Sequence, residues 1–287
     1  MAVWMLLPAA IVVFGVIVYP IVRTGVTSVE NVTSVMEPNA EFVGLSNYAK
    51  VGKNPAFWSS MNRTLYFTVV STAIELVLGL ALAGLLNARI RGRWLLRTIV
   101  VIPWAVPTVV SGALWKGIFN PQFGSLNAIL TQLGLISEDK IWLGSPLLAM
   151  NMVIVADVWK TVPVVAFMLL AGLTSIPQET YEAARIDGAG AIRTLRSITL
   201  PLLVPSISIV MIYRIIEAFK VFDVIYIMTG GGPADGTKTI ALYTYYTAIR
   251  DQRYGVGSAL AYMIVTAIAI LSALYLRALR RSEMSLL

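Results

Sequence analysis

Apolar positions in this 287-residue chain gather into long uninterrupted runs separated by short polar stretches. A helix needs ~20 such residues to cross a hydrocarbon core. Runs of about that length lie at residues 3–22, 65–86, 95–115, 147–173, 202–228 and 256–276. They show no apolar/polar alternation, which the strands of a closed barrel require. The pattern predicts an all-α membrane protein with six transmembrane helices. Pro103 and Pro107 fall inside the third run, so kinks are expected there, and Pro163 interrupts the fourth. The first run has neither a basic leader nor an A-x-A site after Val22, so it reads as a retained span and not a cleaved signal peptide. No repeat and no low-complexity linker divides the sequence, so one domain over 1–287 is expected. Residues 47–62 read as a short interfacial helix on the outer face, with Phe57 and Trp58 at headgroup depth.

Composition agrees with this pattern: 57% of residues are apolar and 13% charged, against about 25% charged in a soluble domain. With no cysteine and no histidine, thiol chemistry, disulfides, the usual zinc sites and imidazole acid–base catalysis drop out. The net charge of +7 could suggest nucleic acid, but in a membrane protein Lys and Arg report topology. Loops 87–97, 174–200 and 277–287 hold ten basic residues in 49 positions, and loops 23–63, 116–146 and 230–255 hold nine in 98. The denser set is expected inside, with both termini cytoplasmic.

The segment 174–201 is the longest polar interruption on that inner side. Ser175 with Gln178 reads as a capping box, and Pro177 sits in the first turn. A short helix should run to about Asp187 and stop at Gly188 and Gly190. A second stretch, 191–200, should end at Pro201, which opens the fifth span. Ala183 and Ala184 would let the backbone lie close in a partner's groove, with Glu182 and Arg185 at its rim. A bare Glu-Ala-Ala triplet is common in helices. Here Glu182-Ala183-Ala184, then Gly188, then Ile198, Leu200 and Pro201 all fall at fixed spacing.

That spacing resembles the EAA loop by which permeases of ABC importers dock on their ATPase subunits. Four more strings extend the resemblance over most of the chain: residues 42–48 (FVGLSNY), 157–161 (DVWKT), 214–233 (RIIEAFKVFDVIYIMTGGGP) and 254–259 (YGVGSA). They are similar to the sugar-permease branch of binding-protein-dependent importers, the maltose-type MalF-like subunits of the trehalose/maltose subset. The resemblance implies a type I importer permease fold. It implies a second homologous permease, two ATPase copies and an extracytoplasmic solute-binding protein as partners. ATP and Mg²⁺ would then be bound by the ATPases, with no cofactor in this chain. Glu182, Ala183, Ala184, Arg185, Asp187 and Gly188 take the coupling role within about 175–200.

Glu75, Asp157, Lys160, Arg214, Glu217, Lys220 and Asp223 lie inside the expected spans. A charge at a helix centre costs about 2.5–3.5 kcal/mol on insertion scales, so these side chains should face the bundle interior or a wet cavity. Asp157 and Lys160 share a face at i,i+3, and Arg214, Glu217, Lys220 and Asp223 would form an i,i+3 ladder along span five. Such ladders also serve as plain structural ion pairs. Glu75 stands alone on its span, and Lys220 and Asp223 could instead snorkel to the outer interface. By resemblance, the sugar path would use Lys160, Thr161 and Val164 before the EAA loop and Arg214, Ala218 and Val221 after it. Asp157, Tyr213 and Glu217 join them as candidates, and Trp159 as a stacking residue, although membrane aromatics are more often packing. The asparagines expected at the span-five positions are missing.

Residues 231–239 approximate a phosphate loop, but one extra residue separates Gly236 from Lys238 and no strand is expected before it. It reads as a turn in an outer loop. No phosphate loop occurs elsewhere, so ATP hydrolysis belongs to another chain. A secondary ion-coupled transporter would leave the EAA spacing unexplained and should show repeated halves. A membrane-embedded enzyme lacks the histidine and cysteine its site would use. The strings point to α-glucosides such as trehalose or maltose; polyol glycosides and glycerol phosphodiesters are the alternatives that related permeases carry.

Overall fold

The computed structural model describes residues 11–33, 40–88 and 91–284, with backbone alone for 278–284. A π-helical turn, Val13–Val18, leads into α1, Tyr19–Ser28. Two-residue strands β1, Glu30–Asn31, and β2, Glu41–Phe42, pair antiparallel. Next come α2, Ser46–Lys53, and α3, Pro55–Asn87, followed by α4, Arg93–Ala105, and α5, Thr108–Ile118. Beyond them lie α6, Ser125–Gln132, and α7, Pro146–Ser175. The polar interruption holds α8, Gln178–Ile186, and α9, Ala191–Thr194; a π turn, Leu195–Thr199, joins α9 to α10, Leu200–Phe219. Last are α11, Asp223–Met228, then α12, Ile240–Tyr245, and α13, Tyr254–Met284.

Among the described residues, four helical stretches are long and apolar enough to cross a membrane: Pro55–Asn87, Pro146–Ser175, Ala191–Phe219 and Tyr254–Arg277. The pair α4 and α5 makes a fifth if counted as one broken span. The first expected span, 3–22, begins outside the described residues; its described part is helical.

The kink expected in span three forms at Pro107, whereas Pro163 and Pro201 act differently from expectation. Pro103 and Pro163 sit inside α4 and α7 without ending them. Span four is therefore one uninterrupted helix, because tight neighbours can compensate a single missing N–H. Pro107 does break the chain: α4 and α5 meet at 91°, with Val106 and Pro107 both extended. Pro disfavours the α conformation in the residue before it, which is why Val106 leaves the helix. Pro201 does not open a new helix either. The π turn just before it passes the chain through, a usual way to absorb a proline in a continuing helix. Span five stops early, at Phe219, and Lys220–Phe222 separate α10 from α11.

The described chain divides into two compact units, Met1–Asn62 with Thr239–Ala269, and Arg63–Lys238 with Ile270–Leu287. In the first, the strings 42–48 and 254–259 meet. Buried Asn47 donates to the Ser28 (3.0 Å) and Glu30 (2.9 Å) carbonyls, and the Gly255 N–H donates to the Val32 carbonyl at 3.2 Å. The expected interfacial helix over 47–62 is two helices. Asn54 caps the second, its Oδ1 accepting from the Ala56 N–H at 3.0 Å with Pro55 in the first turn, the residue pair that favours a helix start. Phe57 is buried and Trp58 exposed, so of the two neighbouring rings one packs inward and the other faces out.

In the second unit, α3, α7 and α10 pack around Ala83, Leu86, Val165, Ala166, Leu169, Leu173, Leu203 and Val210. Gly172 sets the α7–α10 spacing: a Cβ there would lie 2.2 Å from Ser206 Oγ. Small residues let membrane helices approach closely where no hydrophobic drive pulls them together. α4 also packs on α7, and α5 on α11.

Candidate functional site

The breaks at Pro107 and at Lys220–Phe222 open a cavity of about 370 Å³ within the second unit. α7 supplies Asp157, Lys160 and Thr161 to its wall, and α10 supplies Tyr213, Arg214, Glu217 and Ala218. Val221 lines it from the break itself. Val164, also expected on the path, does not reach it; it lies one turn further along α7, past the point where the break makes room. The walls that pattern reading missed are Trp104 and Thr108 on either side of the span-three break, and Phe222, Asp223 and Val224 at the start of α11. Paired prolines and the Phe-Asp step were the available signals. Lys220 and Asp223 line the cavity too, so neither needs to snorkel away. Trp159 turns elsewhere and packs edge-on against Trp115, centroids 5.8 Å apart.

The charges pair across helices more than along them. Arg214 donates Nε and Nη2 (2.8 Å) to the two carboxylate oxygens of Glu75 on α3, and Nη2 also to Asp157 on α7 at 3.1 Å. Glu75 is 0% exposed and Arg214 4%. The planar guanidinium suits such a fork, and two acceptors on two helices pin α10 to both. Of the expected i,i+3 ladder only Lys220–Glu217 forms, at 2.8 Å; the chain leaves the helix after Phe219, so Asp223 starts a new helix instead of continuing the row. Asp157 likewise pairs with Arg214 and not with Lys160.

Lys160 has another task. Its Nζ donates to the Trp104 carbonyl at 3.2 Å and to the Val106 carbonyl. These acceptors are orphaned because α4 ends there, and a cation suits the negative end of a helix. Lys160→Met should therefore lower the stability of the purified assembly by about 1–2 kcal/mol and loosen the span-three break. Lys160→Arg, still able to donate to two carbonyls, should restore it. Thermal unfolding alongside uptake checks this: a Met variant of full stability but without uptake would make Lys160 a substrate contact and not a cap.

The second feature is the polar interruption. α8 is closed by a Schellman motif: the Gly188 N–H donates to Arg185 (3.1 Å) and the Ala189 N–H to Ala184 (2.9 Å). Gly188 has φ +73°, a conformation nearly free only for glycine. The expected capping box does not form at the other end. Ser175 still belongs to α7 and donates its hydroxyl to the Gly172 carbonyl at 2.7 Å, leaving Pro177 at the N-cap without a side-chain bond. Ala184 is buried against the body, whereas Glu182, Ala183, Arg185, Asp187 and Gly188 are exposed. Ile186, 86% exposed, joins that outward face and was not singled out from the sequence. A cavity of about 740 Å³, bordered by Asn87, Arg93, Ser175, Gln178, Tyr181 and Arg185, lies at the foot of α8.

The segment 231–239 follows a helix, α11, and not a strand. Its turn is tied by Thr237, whose hydroxyl bonds Thr229 Oγ1 at 2.6 Å and the Gly232 carbonyl at 2.9 Å. That arrangement lacks the strand–loop–helix frame of a phosphate loop.

Apolar helices of membrane-spanning length around a charged cavity, with an exposed helix between α7 and α10, fit a helical membrane protein. The chain belongs to the family of binding-protein-dependent transport system inner membrane components, whose model matches residues 75–284. It is a transporter subunit of the ABC importer type and not an enzyme. It is 44% identical over 269 residues to the trehalose/maltose transport system permease protein MalF of Thermococcus litoralis, covering 93% of this chain and 89% of that protein. It is 39% identical to the sulfoquinovosyl glycerol transport system permease protein SmoG of Agrobacterium fabrum, over 99% of this chain and 91% of that one. The diacetylchitobiose uptake system permease protein DasB of Streptomyces coelicolor is 36% identical, with 97% and 86% covered. A solved bacterial ABC transporter involved in import of the acidic polysaccharide alginate superimposes with a TM-score of 0.83 over 98% of this chain and 95% of that chain. At 22% identity that likeness speaks for the fold.

Proposed function

We propose that this chain forms, with a second homologous permease, the translocation path for a sugar, an α-glucoside disaccharide such as trehalose or maltose. Uptake is driven by ATP hydrolysis in two copies of an ABC ATPase, which hold the ATP and Mg²⁺; this chain carries no cofactor. A solute-binding protein delivers the substrate outside. The subunit spans the cytoplasmic (inner) membrane several times with both termini in the cytoplasm, and nucleic acid is no partner.

One observation carries this reading: α7 and α10, which wall the cavity, are the two helices joined by the segment that holds α8 and α9. A push on Glu182, Ala183 and the exposed edge of α8 is passed directly to the helices bearing Asp157, Lys160 and Thr161 on one side and Tyr213, Arg214, Glu217 and Ala218 on the other. ATPase closure then turns the cavity from one face to the other by rigid-body movement. Hydroxyl-rich rings suit its mixture of carboxylates, cations and the Trp104 and Tyr213 faces. The named relatives and the strings 157–161 and 214–233 support the glucoside choice. A secondary ion-coupled mechanism has no use for α8.

In proteoliposomes holding both permeases, the ATPases and the binding protein, trehalose or maltose should stimulate ATP hydrolysis and be taken up. Uptake of neither, with uptake of a polyol glycoside or a glycerol phosphodiester instead, would move the substrate assignment. Uptake without ATP would overturn the coupling.

A further inference from the structure

We propose that Glu75 sets the charge selectivity of the cavity: by cancelling Arg214 it makes the cavity a site for uncharged glycosides and turns anionic ones away. The proposal rests on the sugar-path reading above and deepens it.

Three cations on one wall, Lys160, Arg214 and Lys220, would at first sight suit a sulfonate, carboxylate or phosphate. Each is already committed. Lys160 caps the end of α4 through the Trp104 and Val106 carbonyls. Lys220 holds Glu217 at 2.8 Å. Arg214 spends Nε and Nη2 on Glu75 and shares Nη2 with Asp157. The wall also carries Asp157, Glu217 and Asp223. With Glu75 behind it, four carboxylates stand against three cations. An anionic ligand would enter a field of the wrong sign and find its natural partners occupied. A neutral polyhydroxyl ligand loses nothing there: its hydroxyls donate to carboxylate oxygens, and its ring faces pack on Trp104 and Tyr213.

Glu75 is the deciding group because it lies outside the wall. It sits on α3, is 0% exposed and reaches the cavity wall through Arg214 and Asp157. It cannot serve as a ligand contact, so its charge acts on the ligand purely as a field, while its fork holds the guanidinium in place. This makes it a positioning and specificity residue. Sequence inspection, which left it alone on its span, had no means of seeing this, since its partner is 139 positions away.

Glu75→Gln tests the idea. It keeps the size and one acceptor for Arg214 and removes the charge. The probes are trehalose and trehalose uronate, in which a carboxylate replaces one primary hydroxyl. Binding is read by ligand-observed saturation-transfer NMR on the assembled permeases and ATPases in nanodiscs, without the binding protein, so that its own selectivity does not intervene. Wild type should prefer trehalose by about tenfold or more, and Glu75→Gln should close that gap by on the order of tenfold. Salt should weaken the variant's gain for the uronate, and Glu75→Asp, which keeps the charge, should retain the wild-type preference. An unchanged ratio in Glu75→Gln, or equal binding of both probes by wild type, overturns the proposal. Binding of neither probe by wild type overturns the sugar-path reading itself, and this proposal with it. Should Glu75→Gln not assemble, Asp157→Asn removes the other carboxylate from the same guanidinium and must shift the ratio the same way; no shift overturns the proposal.

Discussion

Arg214→Met is expected to destabilise the purified assembly by about 3–5 kcal/mol, the usual result of breaking a buried ion pair from one side. The cost comes from what stays behind. Glu75 is 0% exposed and would be left without its cationic partner, while Asp157 would lose its 3.1 Å bond. α10 would also lose the only side-chain ties, among the described residues, that reach α3 and α7 together. The double variant Glu75→Gln/Arg214→Met should recover most of the loss, because a buried pair replaced as a unit is often close to neutral. A double-mutant cycle on thermal unfolding measures the coupling directly. A single variant as stable as wild type would mean that Glu75 and Arg214 do not meet.

Glu182→Lys combined with Gly188→Asp is expected to abolish ATPase co-purification and reduce ATP-driven uptake by about a hundredfold, the scale of losing a central interface contact. Glu182 is exposed on the outer face of α8, so reversing its charge acts on the partner and not on the core. Gly188 sits at φ +73°, where a Cβ costs roughly 1–2 kcal/mol, and it carries the Schellman stop of the helix. Both positions are exposed, so the permease itself should fold and insert normally. Retention of the ATPases together with ATP-driven uptake would show that α8 is not the docking element.

The legible parts of this protein are those carried by neighbours in sequence. The helix of the polar interruption was readable because a helix of nine residues and its glycine stop are local events. α8 ends at Ile186, within a residue of the expected Asp187. Eight of the nine expected path residues line one cavity for a similar reason, since they were chosen from two short strings on two helices; Val164 missed by one turn. The capping box failed where a competing acceptor was equally local: Ser175 bonds back to Gly172 and never reaches the start of α8. The i,i+3 ladder failed because it assumed one straight helix through Asp223, and the chain turns at Lys220–Phe222.

By itself, the sequence determined most of the apolar spans, the polar helix between the fourth and fifth of them, and which residue types the bilayer would force inward. Burying backbone in hydrocarbon leaves few choices, and those choices can be read residue by residue. Only the tertiary structure decided where span three breaks, which carbonyls Lys160 caps, and that Glu75 answers Arg214. Each of these depends on groups far apart in the chain meeting in a low-dielectric interior, where a charge must find whichever partner the packing brings. Sequence separation says nothing about that meeting, so the lone carboxylate of α3 became the anchor of the cavity only once the helices were packed.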